Sequence, residues 1–110
     1  VRGLVINRAN DGIFIDANDV TIVGNFLGTD AAGELDLGNS SDGVAINSGA
    51  RLTVGGPLPA DRNLISGNDD AGIRVAAADS TIQGNLVGTD RSGAGNLANA
   101  DDGIVAPASD

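Results

Sequence analysis

TIVGNFLGTDAAG at residues 21–33 and TIQGNLVGTDRSG at residues 81–93 are two copies of one sequence pattern, 60 residues apart. Extending the comparison outward aligns residues 1–50 with residues 61–110 without a gap. Self-similarity at a fixed period is typical of repeat architectures. The sequence therefore predicts a single domain built from two tandem repeats, residues 1–60 and an incomplete second copy, residues 61–110.

A shorter period lies inside the long one. The tetrads DGIF (11–14), DGVA (42–45), AGIR (71–74) and DGIV (102–105) recur about every 30 residues. Each opens a short run in which apolar residues alternate with variable ones before Gly, Asn or Asp ends it, which is typical of short strands. The alternation predicts four inward-facing columns: Ile13, Val44, Ile73 and Ile104; Ile15, Ile46, Val75 and Ala106; Ile22, Val54 and Ile82; and Val5, Leu27, Ile65 and Val87.

Three short strands in each unit of about 22 residues indicate an all-β parallel β-helix, whose coils stack about 4.8 Å apart. We expect about four coils, covering residues 3–24, 25–62, 63–84 and 85–110, in a rod about 19 Å long. The first residues enter in full register and the last ones stop short of a complete repeat. We therefore expect the chain to be part of a longer solenoid, or to stack end to end with copies of itself.

The composition excludes several classes of function. The chain has 110 residues, with 15 Asp and Glu against 6 basic residues, all of them Arg, and a net charge of −9. Without Cys, His or Lys there is no disulfide, no Cys/His zinc site, no serine–histidine triad and no lysine Schiff base. Nucleic-acid binding is not expected because phosphate contacts need clustered Lys or Arg, and apolar runs this short predict no membrane insertion.

An acidic column beside the Asp-Gly steps is the first candidate site. Stacked coils would bring its carboxylates within roughly 5 Å of one another, where like charges repel. Ca²⁺, which prefers oxygen ligands, would neutralise them, although the fold requires no cofactor. Alternatively, each Asp forms an Asx turn before a Gly with unusual backbone angles. The candidate metal ligands are Asp11, Asp42, Asp70, Asp101 and Asp102.

Two long loops, residues 28–41 and 88–101, form the second candidate site. They leave the coil at equivalent places, two rungs or about 10 Å apart, and loops on one side of a rigid stack often carry function. They would project polar residues, among them Asn39 and Asn99. An Asp followed three residues later by Gly is also typical of a type I turn, so a purely structural role stays open. The candidate ligand residues are Thr29, Asp30, Thr89 and Asp90.

Asn25, Asn63 and Asn85 occupy equivalent corners of successive coils. Stacked Asn side chains at a tight corner can hydrogen-bond one another and the backbone. We expect them to form an asparagine ladder with a structural role.

The blocks VGNFLGTD (23–30), LTVGG (52–56), ISGN (65–68) and QGNLVGTD (83–90), with the DGI and DGV steps, resemble the right-handed parallel β-helix repeats of bacterial secreted and surface proteins, a fold of the pectate-lyase-like superfamily. This resemblance covers almost the whole chain and implies an extracellular or cell-surface bacterial location. The superfamily includes lyases and hydrolases as well as adhesins and passive stalks, so fold alone does not give function. Its enzymes use clustered carboxylates, or calcium with a basic residue, and the outward strand positions here show no such cluster.

These observations lead to two functional hypotheses. The first is a structural segment, a stalk, spacer or adhesive rod, whose partners are neighbouring coils or copies of itself. The second is a glycan-binding or glycan-active module, lyase-like or hydrolase-like, that binds polysaccharide with or without calcium. Whether the chain is an enzyme stays open at this level.

Overall fold

The computed structural model describes residues 1–49, 51–76, 80–100 and 103–105. These residues form short β-strands joined by turns, with one 3-10 turn at Pro59–Asp61. The strands are β1 (Val5–Ile6), β2 (Ile13–Asp16), β3 (Thr21–Ile22), β4 (Phe26–Leu27), β5 (Val44–Ser48), β6 (Leu52–Gly55), β7 (Leu64–Ile65), β8 (Ile73–Val75), β9 (Ser80–Gln83), β10 (Leu86–Val87) and β11 (Ile104–Val105).

The strands stack into three parallel sheets, as expected for a solenoid in which each turn adds one strand to each sheet. The first sheet has the order β1-β4-β7-β10, the second β2-β5-β8-β11, and the third β3-β6-β9. Every strand pair is parallel. The chain is therefore an all-β parallel β-solenoid, which confirms the predicted fold class.

The core lies between the three sheets and is almost entirely aliphatic. Ile22, Val44, Val54, Ile65 and Ile73 are fully buried. The predicted columns keep their register, since Ile13 pairs with Val44, Val44 with Ile73, and Ile73 with Ile104. Ala106, predicted to end the second column, lies outside the described residues.

Two details of the prediction are wrong. The solenoid has about three turns, not four, because the described part of the last predicted coil contributes β10 and β11 but adds no strand to the third sheet. The fourth column begins at Ile6, which pairs with Leu27, whereas Val5 pairs with Phe26 and is 45% exposed. The connection from β1 to β2 is one residue shorter than that from β7 to β8, and a slip of one residue exchanges the two faces of a strand.

Glycines of the Asp-Gly steps let the coils approach closely. A Cβ on Gly12 would lie 2.5 Å from the carbonyl oxygen of Gly43, and one on Gly43 would lie 2.7 Å from that of Gly72. None of these three glycines has a positive φ. Glycine is needed here because the backbones of stacked coils pass within contact distance, and not because of a positive φ.

Candidate functional site

The acidic column is only partly formed. The amide N–H of Asp42 donates to Oδ1 of Asp11 at 3.1 Å, and the N–H of Ala71 donates to Oδ1 of Asp42 at 3.0 Å. Ala71 therefore occupies the third rung, and Asp70 lies one position earlier, where its N–H donates to the carbonyl of Ser41. Each stacked carboxylate thus accepts a bond from the next coil, a contact that the local Asx-turn alternative did not predict.

Arg74 neutralises the two acidic residues nearest to it. Its Nε lies 3.0 Å from Oδ2 of Asp42, and its Nη2 lies 3.0 Å from Oδ1 of Asp70. The Asp42 side chain is only 5% exposed, so this ion pair is largely shielded from water. We expected calcium to neutralise the repulsion between the stacked carboxylates. At Asp42 and Asp70 the positive charge comes from the guanidinium group of Arg74.

No group of three or more acidic side chains is arranged to hold a metal ion in the part of the chain that the structure describes. Asp101 and Asp102, the other predicted ligands, lie outside that part. Calcium binding at the column therefore stays a prediction, and Asp11, Asp42 and Asp70 are the predicted ligands whose positions are known.

The first predicted ligand loop is closed by its own candidate residues. Thr29 is fully buried, and its Oγ1 donates to the carbonyl oxygen of Asp30 at 3.0 Å. Oδ1 of Asp30 accepts the N–H groups of Glu34 at 2.9 Å and Leu35 at 3.2 Å. These bonds, that from Glu34 first, hold the pKa of the Asp30 carboxyl below its usual value. Both residues are thus used to fold the loop.

The second loop repeats this arrangement with different donors. Oγ1 of Thr89 donates to the carbonyl of Asp90 at 2.9 Å. Oδ1 of Asp90 accepts Oγ–H of Ser92 at 2.6 Å and the N–H of Gly95 at 3.2 Å. The bond from the Ser92 side chain is the main reason why the pKa of Asp90 lies below its ordinary value. The pattern of Asp and Gly indicated turn formation correctly in both copies.

The two loops touch each other. They leave the coil two rungs apart, as predicted, since β7 lies between β4 and β10. Beyond these points the loops meet, and the N–H of Arg91 donates to the carbonyl of Gly33 at 2.8 Å. The coil between them has no long loop at this place, because β7 is joined to β8 by a short connection that begins at Ser66. The longer loops above and below therefore fold together across it.

The predicted asparagine ladder is confirmed. Nδ2 of Asn25 donates to Oδ1 of Asn63 at 3.0 Å, and Nδ2 of Asn63 donates to Oδ1 of Asn85 at 2.9 Å. The same oxygens accept backbone N–H groups from the coil before, and Asn25 and Asn63 are fully buried. In the first coil, the N–H of Leu4 donates to Asn25.

A second asparagine ladder was missed from the sequence. Nδ2 of Asn39 donates to Oδ1 of Asn68 at 2.8 Å, and Nδ2 of Asn68 donates to Oδ1 of Asn99 at 2.9 Å. The expectation that Asn39 and Asn99 project from the loops is wrong. Both are buried where each loop returns to the coil. The signal was present: Asn39 and Asn99 are 60 residues apart, and Asn68 ends the ISGN block between them.

Within the described part of the chain, open grooves lie on the outer faces of two of the sheets. A groove of about 210 Å³ on the second sheet includes Asp11, Phe14, Asp42 and Arg74 in its lining. A second groove, of about 300 Å³, lies against the first sheet and is called the arginine groove here. The arginine groove is lined by Phe26, Ala31, Pro59, Arg62, Leu64, Leu86 and Arg91.

None of the protein-family models, curated proteins or solved structures compared with the chain matches it. Among the described residues, no helix has the length and apolar character needed to cross a membrane.

Proposed function

We propose that the chain is a structural segment of a β-solenoid, a stalk, spacer or adhesive rod of an extracellular or cell-surface bacterial protein. Its partners are neighbouring coils of a longer pectate-lyase-like β-helix, or copies of itself stacked end to end. One observation carries this proposal: the polar residues that most resemble ligands are already bonded within the chain. Thr29, Asp30, Thr89 and Asp90 close loops, and Asp42 binds Arg74.

The internal bonding suits a part whose task is to keep its shape. The asparagine ladders add side-chain bonds between coils to those of the parallel sheets. Buried amide networks of this kind stabilise one arrangement when every member has its partner. The net charge of −9 favours solubility of such a rod.

The proposal is tested by passing a panel of neutral and acidic polysaccharides over the immobilised chain, with Ca²⁺ and with a chelator. A structural segment retains none of them and cleaves none of them. The same sample must unfold cooperatively when its melting is followed by circular dichroism. This control shows that a lack of retention and cleavage is a property of the folded chain. Cleavage, or saturable retention of any polysaccharide, would overturn the structural proposal.

The groove on the second sheet favours a second candidate function, glycan binding. Phe14 is 59% exposed and offers an apolar ring, and Asp11, Asp42 and Arg74 lie beside it with polar groups. Sugar-binding sites combine an apolar surface with a few polar groups in this way.

The same panel distinguishes this candidate with two variants. If glycan binds at this groove, Phe14→Ala abolishes retention, and Asp30→Ala with Asp90→Ala leaves retention unchanged. Retention lost only in the double variant assigns binding to the loops instead. Retention that requires calcium and is lost in Asp11→Asn would connect the acidic column to the glycan.

A further inference from the structure

The arginine groove is formed where the two loops fold over the outer face of the first sheet. Phe26, Leu64 and Leu86 are register partners on neighbouring strands, and their chain neighbours Leu27, Ile65 and Val87 pack towards the core. The alternation therefore places three apolar side chains on the outer face.

Contacts at two glycines show that the loops cover this apolar face. A Cβ on Gly33 would lie 2.9 Å from both Phe26 and Leu64, and one on Gly93 would lie 3.6 Å from Leu86. Leu64 is only 2% exposed although it faces outward. The groove thus has an apolar base with walls from the loops and from Pro59.

Two arginines line this groove, and no carboxylate of the described residues pairs with either. Nε of Arg62 donates to the carbonyl of Gly84 at 3.3 Å, and Nη1 of Arg91 donates to the carbonyl of Ala32 at 3.5 Å. By contrast, Arg51 and Arg74 form ion pairs with Asp residues. Backbone carbonyls accept one N–H each and leave the two positive charges uncompensated, in a chain of net charge −9.

We propose that the arginine groove binds a small ring compound that carries one carboxylate. The carboxylate lies between the guanidinium groups of Arg62 and Arg91, and the ring packs on Phe26 and Leu86. Guanidinium groups are well matched to carboxylates because their N–H donors form paired bonds to its two oxygens. A volume of about 300 Å³ lies at the lower end of small-molecule sites and suits a ligand with a single ring.

An aromatic acid and a sugar acid share this chemistry, and a titration followed by ¹⁵N–¹H NMR distinguishes them. The probes are benzoate and glucuronate, with benzyl alcohol, glucose and inorganic phosphate as controls at matched ionic strength. We expect saturable shifts of the Phe26, Leu86 and Arg91 amides with at least one of the two acids. Benzoate alone would identify the ligand as an aromatic acid, and glucuronate alone as a sugar acid; either supports the site.

Variants test whether the two arginines hold the carboxylate. Arg62→Gln with Arg91→Gln is expected to weaken binding at least tenfold, while Arg51→Gln and Phe14→Ala, which lie outside the groove, leave it unchanged. Absence of saturable shifts would overturn the proposal, as would equal binding of benzyl alcohol or glucose, which needs no charge. Equal shifts with phosphate, which indicate a general anion effect, would also overturn it. The site does not depend on the spacer role, since polysaccharide retention tests that role separately.

Discussion

Arg74 is the residue whose environment differs most from what its sequence position indicates. Strand alternation places it on the outer face beside β5, and nothing within its own coil predicts a buried partner. The structure pairs it with Asp42, 32 residues earlier in the chain, and with Asp70. Partners so distant in sequence meet only because the coils stack, so the sequence of one coil does not reveal them.

Replacing Arg74 tests this ion pair. Arg74→Gln leaves the largely buried Asp42 carboxylate without its charged partner, so we expect the free energy of unfolding to fall by about 1–3 kcal/mol. The measurement is urea denaturation at neutral pH. Arg51→Gln is the matched control, because its pair with Asp19 is more than half exposed and water screens such pairs, so its loss should change stability little. Equal losses in the two variants would contradict the role given to Arg74.

The carboxylates of Asp30 and Asp90, one in each loop, make the stability of the folded chain vary with pH in the acidic range. Hydrogen bonds lower the pKa of Asp30 and Asp90 in the folded chain, so between the folded and unfolded pKa values the unfolded state binds more protons. Their contribution is complete above the unfolded pKa of about 3.9 and is lost as pH falls through the folded pKa. We expect the melting temperature to fall less between pH 6 and pH 3 in Asp30→Asn/Asp90→Asn than in the unchanged chain. An identical fall would show that these bonds do not stabilise the ionised form.

The loops are the elements where structure departs most from the predicted arrangement. The 60-residue period correctly places them at equivalent positions, and the Asp-to-Gly spacing correctly predicts their turns. Their contact at Gly33 and Arg91 was not predicted, because it depends on the missing loop of the coil between them. Small differences in connection length also moved Val5 out of the predicted column.

Gly33 provides a test of the packing between the loops. It has a φ of +72°, and a Cβ there would lie 2.9 Å from Arg91, Leu64 and Phe26. Gly3 has nearly the same φ, +73°, with no atom within 4 Å of such a Cβ. We expect Gly3→Ala to cost about 1 kcal/mol from backbone strain alone. Gly33→Ala should cost more, measured by thermal unfolding, and an equal cost would show that the loops do not pack there.

For the whole molecule, the sequence predicts the architecture well and the use of its polar residues poorly. Periodicity gave the three sheets and the aliphatic columns, because every coil repeats the same inward positions. It also predicted one ladder, at Asn25, Asn63 and Asn85. The second ladder was not predicted because Asn39 and Asn99 lie near the ends of long loops, where polar residues ordinarily face solvent.

Polar side chains of this chain hold successive coils together. Asn68 is the best position at which to measure this effect, because it is 1% exposed and bonds both Asn39 and Asn99. Asn96 is the matched control, an exposed residue of the second loop whose side chain has no hydrogen bond with the described residues.

The measurement is the free energy of unfolding of Asn68→Ala and Asn96→Ala by urea denaturation. Asn68→Ala removes bonds from buried amide and backbone groups on both sides, so we expect a loss of about 2–4 kcal/mol. Asn96→Ala should remain within about 0.5 kcal/mol of the unchanged chain. A loss in Asn68→Ala as small as that in Asn96→Ala would contradict the claim.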